Sequence, residues 1–236
     1  MSPSVAERNA GAGPAPSLAI IVPVGPGDDS WHGLVAFLAT VPETTEIVFA
    51  GCEMAPENWP PRSLTLARWL QAARGRARQA NAGSIQTGAE YLWWLHADSR
   101  PAADAFVALT QALSQRPDDL HWFALRFFDG PYLAKINAAG ANWRSRRWQL
   151  PFGDQGLCMA RASFERLGGF DESLTLGEDL SLVVRARRAG IALNEVPSTI
   201  ATSARRYRRQ GWLRTSIRHL WLTWRLSRAE RARDDH

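Results

Sequence analysis

Four short segments hold residue types that could do chemistry. In WLHADSRP, His96 and Asp98 stand two residues apart, just after an apolar run. If that run is a strand, alternation puts both side chains on one face. An imidazole and a carboxylate so placed can hold a divalent cation, and a cation there can neutralise the charge that develops on a departing diphosphate. Asp98 could equally close a turn or cap a helix. In LGEDLSL, Glu178 and Asp179 follow Gly177 and open a helix. A helix N-terminus favours the ionised form of either carboxylate, so one can act as a base near neutral pH; acidic residues also simply stabilise a first turn.

The other two segments are polar in a different way. In GDQGLCMAR, Asp154 and Gln155 lie between two glycines. Together they offer donors and acceptors for sugar hydroxyls, and they suit a tight turn as well. GRARQANAG presents Arg76, Arg78 and Asn81 either to a phosphate or base, or to solvent along a helix face.

These segments need elements to hold them. SLAIIVPV is a short β-branched run that ends in the loop signal PVGPGDD, which predicts a buried strand over Leu18–Val24. Trp31, Leu34, Val35 and Leu38 recur at helical spacing, with Ser30 as the expected N-cap. TTEIVFAG gives the second strand of a βαβ unit. Residues 54–61 form a proline-rich loop, and ARWLQAARGRARQANAGSIQTGAE reads as mostly helical, weakened at Gly75 and Gly83. YLWWLHADS is the next strand, and Pro101 sits where a first helical turn tolerates proline. Phe106, Leu109 and Leu113 mark an apolar helix face. LHWFALRF is a further strand, and PYLAKINAAGANWRSRRWQ is helix or loop. GLCMARASFERLGGF gives a short strand and a helical turn closed by Gly168 and Gly169. EDLSLVVRARRAG is a helix ended by Gly190, and IALNEV is the last strand.

That order predicts an α/β sandwich with a mixed sheet flanked by helices and its ligand crevice at the carboxyl ends of the strands. The rule points to PVGPGDD, AGCE and HADS.

Composition sets outer bounds. At 236 residues, 45% hydrophobic and 22% charged, the chain has the make-up of one ordinary globular domain. Residues 1–16 are rich in Ala, Gly and Pro without an apolar core, so they read as a flexible lead-in and not a signal peptide. No apolar run reaches the roughly 18 residues of a spanning helix. Cys52 and Cys158 make no disulfide framework and lie in no CxxC motif, which fits a reducing cytoplasm. The formal charge is +5, with arginines bunched at 144–147 and 205–218. Such clusters can meet nucleic acid, anionic lipid or a diphosphate, or can merely solvate a face. Residues 211–236 are expected to form an amphipathic helix and tail, with Trp212, Trp221 and Trp224 among arginines. It could lie on an anionic membrane surface or pack on the core.

In order, LAIIVPV, GRARQANAG, WLHADSRP, PFGDQGLCMARASFERLGGFDESLTLGEDLSLVVRARRAG and TSARRYRRQGWLRT resemble family 2 of the glycosyltransferases, in particular the small bacterial branch with an LHADT-like element. The similarity spans residues 18–226. The resemblance implies a GT-A (Rossmann-like) domain over 17–210, an inverting single displacement, and a nucleoside-diphosphate sugar donor with Mn²⁺ or Mg²⁺. Asp98 matches the last acidic residue of the family's metal motif, and His96 stands where many relatives have the first. Asp179 matches the base, and Glu178 orients the site. Pro23, Val24, Glu53, Arg76, Arg78, Asn81 and Asp98 fall on the donor side, and Asp154 and Gln155 on the acceptor side.

The chain departs from the family where relatives hold the donor's base and ribose: those positions read GPGDD and AGCEM, leaving Asp28, Asp29 or Glu53 to substitute. The expected acceptor is hydroxylated, lipid-linked or small, reached from the cytoplasm with peripheral contact to the inner face of the membrane. The competing expectation is a catalytically silent protein that binds sugar nucleotides. A nucleic-acid-binding module ranks last.

Overall fold

The computed structural model describes residues 16–130 and 133–204. The expected lead-in, apart from Pro16, and the expected amphipathic helix and tail at 211–236 lie outside the described residues.

The first apolar run forms β1 (Leu18–Val24) with the bounds its pattern predicts. A 3-10 turn (Asp29–Trp31) leads into α1 (His32–Leu38), and β2 (Glu46–Gly51) follows. The chain then continues through β3 (Arg68–Gln71), α2 (Arg76–Ile85), β4 (Tyr91–Trp94), β5 (Arg100–Pro101) and α3 (Ala105–Gln115). The second half runs β6 (Leu120–Phe127), α4 (Leu133–Trp148), β7 (Cys158–Ala160), α5 (Arg161–Arg166), α6 (Glu178–Arg188) and β8 (Leu193–Thr202).

All eight strands join one mixed sheet in the order β3-β2-β1-β4-β7-β6-β8-β5. β3, β2, β1 and β4 are parallel; β7 runs antiparallel to both β4 and β6, and β8 is parallel to β6. Side chains leave a strand alternately to opposite faces, so each buried strand feeds two cores. From β1, Ile20 and Val22 pack with Leu34 and Leu38 of α1 and Leu109 and Leu113 of α3. Ala19 and Ile21 face the other side, with Ala77 and Ala80 of α2 and Leu182 and Val183 of α6. β4 divides likewise, Trp93 going to the first core and Trp94 to the second. Both faces covered by helices is the arrangement that lets parallel strands be apolar throughout.

Several local expectations are corrected. Asp28, not Ser30, caps the first helical segment, its carboxylate accepting from the Ser30 N–H at 3.1 Å. ARWLQ is not helical: Arg68–Gln71 is an edge strand on β2, and Trp69 packs edge-on against Trp31 and Trp59. Tertiary pairing outweighs the weak helical preference of the Ala- and Arg-rich stretch. Pro101 does not open a helix. It sits in the last strand of the sheet, paired with Ile200, where a residue without an N–H costs least, and α3 starts at Ala105. The ambiguous segment before Gln149 is helical, as α4. Asn142 ties that helix to β6, accepting from Leu125 N–H at 2.8 Å and donating to Leu125 C=O at 3.0 Å. Among the described residues, no helix is long and apolar enough to cross a membrane.

Candidate active site

Strands that end together leave a trough between the loops that follow them. Here β1, β4, β6 and β8 end on one side, and a cleft of about 370 Å³ opens there. Pro23, Gly25, Pro26 and Asp28 line it from the β1 end, His96, Ala97 and Asp98 from the β4 end, Phe127 from β6, and Thr202 and Ser203 from β8. The N-terminus of α2 contributes Arg74, Gly75, Arg76 and Gln79. Leu176, Gly177, Asp179 and Leu180 come from the N-terminus of α6, and Phe152 and Asp154 from the turn before β7.

His96 and Asp98 share the cleft for a reason other than strand alternation. β4 stops at Trp94, and the next residues turn, with Ser99 N–H donating to His96 C=O at 2.9 Å. The turn, not a pleat, presents both side chains. Among the described residues no three His, Cys, Asp or Glu side chains gather to form a closed metal cage. His96 and Asp98 offer two possible ligands, a number compatible with Mg²⁺ that keeps water or phosphate oxygens in its remaining positions.

Glu178 and Asp179 take separate directions. Gly177 precedes them with φ of 84°, a left-handed turn that a side chain would resist, and no side chain caps the helix. Glu178 is buried and accepts from Arg76 Nη1 at 3.3 Å. Burial raises its pKa, the neighbouring Asp179 charge raises it further, and Arg76 opposes both. Asp179 faces the cleft, its Oδ2 accepting from Gly153 N–H at 2.5 Å and its Oδ1 from Leu180 N–H at 2.8 Å.

Asp154 lines the same cleft as Asp98 and Asp179. Its Oδ1 is sealed from solvent and has no hydrogen-bond partner. Burial pushes its pKa up to about 6; Arg144 lowers it, Asp179 and Asp98 raise it, and Arg76 lowers it slightly. The consequence for stability has a definite sign. Folded Asp154 keeps its proton to about pH 6 and the unfolded group loses it near 3.8. Between those values the folded state binds more proton, so stability is full below the lower value and is lost as pH rises through the upper one. Asp154→Asn is expected to match wild type near pH 4 and to exceed it at pH 8 by on the order of 1–2 kcal/mol, after discounting for partial exposure. Urea unfolding with chelator present, at several pH values, checks this; parallel stability profiles would contradict it.

The structure does not bring every expected site residue to the cleft. Gln155 is fully buried, with Ser145 Oγ and Phe152 N–H donating to its Oε1 at 2.8 and 3.1 Å, while its Nε2 donates to Phe123 C=O at 3.2 Å. With its amide spent on the protein, it does not reach an acceptor. Arg78 and Asn81 point away from the cleft, to the loop before α6. Arg78 stands 3.8 Å from Glu172, and Asn81 exchanges 2.9 Å hydrogen bonds with the Phe170 backbone. One helical face cannot present Arg76, Arg78 and Asn81 together, because successive residues diverge by about 100°. Val24 is buried, its carbonyl accepting from Gln79 Nε2 at 2.6 Å. Glu53 lies outside the lining and accepts from Gly27 N–H at 3.1 Å. Pro23, Arg76, His96, Asp98, Asp154 and Asp179 do line the cleft, and Glu178 borders a small apolar recess beneath it.

Arg74, Gln79, Phe127, Phe152, Thr202 and Ser203 were not singled out from the sequence. The strand-end rule applied to β6 and β8 would have found Phe127, Thr202 and Ser203. Nothing local marks Gln79, whose amide bridges Val24 and Ala50 carbonyls at 2.6 Å each.

No protein-family model matches the sequence, and no curated protein matches it. Among solved structures the chain is similar to S. aureus TarS, at a TM-score of 0.62 and 15% identity over 80% of this chain and 37% of that one. It is also similar to S. aureus TarS 1-349, at 0.63 and 12% identity over 79% of this chain and 60% of that one. This chain thus spans less than two thirds of either relative. At such identity the likeness shows the fold, a GT-A-like α/β architecture with a mixed eight-stranded sheet between helices.

Proposed function

We propose that the protein is a glycosyltransferase that moves a sugar, with inversion, from a nucleoside-diphosphate donor to a hydroxyl acceptor. The observation that carries this reading is that Asp98 and Asp179, far apart in sequence, line one cleft at the strand ends. TarS, which shares the fold, is a glycosyltransferase.

The donor diphosphate is assigned to the end of the cleft where Arg74 and Arg76 flank the N-terminus of α2. Unpaired backbone N–H groups and the helix dipole favour an anion there. Asp98 and His96 would hold a Mn²⁺ or Mg²⁺ ion, which would supply positive charge to the leaving diphosphate. The Asp179 carboxylate takes the acceptor's hydroxyl proton as that oxygen bonds to the anomeric carbon. The bond from that carbon to the phosphate oxygen breaks on the opposite face, its electron pair leaving with the diphosphate. Arg76 acts twice, facing the diphosphate and holding Glu178. Phe152 and Leu176 give the acceptor end an apolar wall, which suits a hydroxylated, lipid-linked acceptor at the inner membrane face.

A screen of nucleoside-diphosphate sugars for hydrolysis or transfer, with Mn²⁺ or Mg²⁺ present, tests the proposal. Metal-dependent turnover of at least one donor is expected. A protein that binds donors and turns over none supports instead a silent sugar-nucleotide-binding protein, a reading favoured by Glu53 being directed to Gly27 and not into the cleft.

A further inference from the structure

Gly153 lines the small apolar recess that adjoins the cleft, together with His96, Glu178 and Asp179. A Cβ built there would lie 2.8 Å from Asp179 Oδ2 and 2.9 Å from His96 Nε2, closer than real Cβ atoms come to their neighbours, and 3.1 Å from Asp179 Cβ, which is tight. Its N–H donates to that same Oδ2 at 2.5 Å. Neither side can readily yield. Asp179 is rooted in the first turn of α6, its other oxygen held by Leu180 N–H at 2.8 Å. Gly153 begins a 3-10 turn fastened from within by the buried Gln155 amide.

We propose that Gly153 is a positioning residue for the transfer: its N–H fixes the Asp179 carboxylate, and its missing side chain lets that carboxylate and the His96 ring share one wall of the cleft. This rests on Asp179 being the base. A carboxylate held by a backbone N–H at each oxygen cannot swing about its last bond, so its remaining lone pairs keep one direction toward the acceptor. A base misplaced by about 1 Å costs on the order of 100-fold in rate. Gln155 has a purpose in this scheme without touching a ligand, because it keeps the turn that carries Gly153 rigid.

The test uses the full chain, with Gly153→Ala compared with Gly140→Ala, where a new Cβ meets open space. Each change is made in wild type and in Asp179→Asn. Gly153→Ala is expected to lower kcat about 10- to 100-fold with the donor KM nearly constant, and Gly140→Ala to leave both unchanged. In the Asp179→Asn background, Gly153→Ala should cost much less than in wild type, because the part acting through the Asp179 carboxylate is already lost and only the contact with the His96 ring remains. A backbone ester, with glycolic acid in place of Gly153, removes the N–H and adds no atom. It should show the same kcat loss, and it carries the test if the alanine protein does not fold. Wild-type kcat in the ester protein, or an equal loss from Gly153→Ala in both backgrounds, overturns the inference and leaves the transferase reading standing. A wild-type protein with no turnover of any donor overturns that reading, and the inference falls with it.

Discussion

Asp179→Asn is expected to lower kcat by about 10²- to 10⁴-fold, the usual contribution of a positioned base, while donor affinity changes little. Asparagine has the same shape, so the cleft keeps its outline. It cannot take the acceptor's proton, and it accepts only through Oδ1, whereas the Gly153 and Leu180 N–H groups each hold a separate carboxylate oxygen now. One backbone donor therefore loses its partner, at a cost to stability of about 1 kcal/mol. Single-turnover transfer and calorimetric donor binding separate the two effects. A variant with wild-type kcat would remove Asp179 as the base.

The second large effect is expected at Asp98. Asp98→Ala should lower kcat/KM by about 10²- to 10³-fold, the scale of losing a group that stabilises developing charge. The turnover that remains should no longer respond to added Mn²⁺ or Mg²⁺, since His96 alone is a poor ligand set for either ion. Residual donor binding is expected to persist through Arg74 and Arg76. There is also a coupled consequence: Asp98 is one of the charges that raise the Asp154 pKa, so removing it should shift Asp154 titration toward lower pH. Metal titrations of activity for both proteins, with NMR titration of Asp154, would measure this. A full metal response in Asp98→Ala would contradict the assignment.

The expected site residues that line the cleft and those that do not differ by a physical rule. Asp98, His96, Asp154 and Asp179 were legible because each follows or precedes a marked element boundary, and boundaries on one side of a parallel sheet meet at its strand ends. Arg78, Asn81 and Gln155 sit in the same motifs, yet the fold spends them on Glu172, the Phe170 backbone and the turn around Phe152. A motif shows which residues are close in sequence. Whether a polar group is left over for a ligand depends on which buried partners reach it first.

The sequence by itself determined the α/β class, the bounds of β1 and β6, and the helix that begins at Glu178, because apolar runs and backbone periodicity are written locally. Tertiary structure alone decided the edge-strand roles of Arg68–Gln71 and Arg100–Pro101, the sealing of Asp154 Oδ1 from solvent, and the close approach of Asp179 and His96 to Gly153. Each of those depends on a partner distant along the chain, and short-range pattern carries no information about which distant segment will arrive.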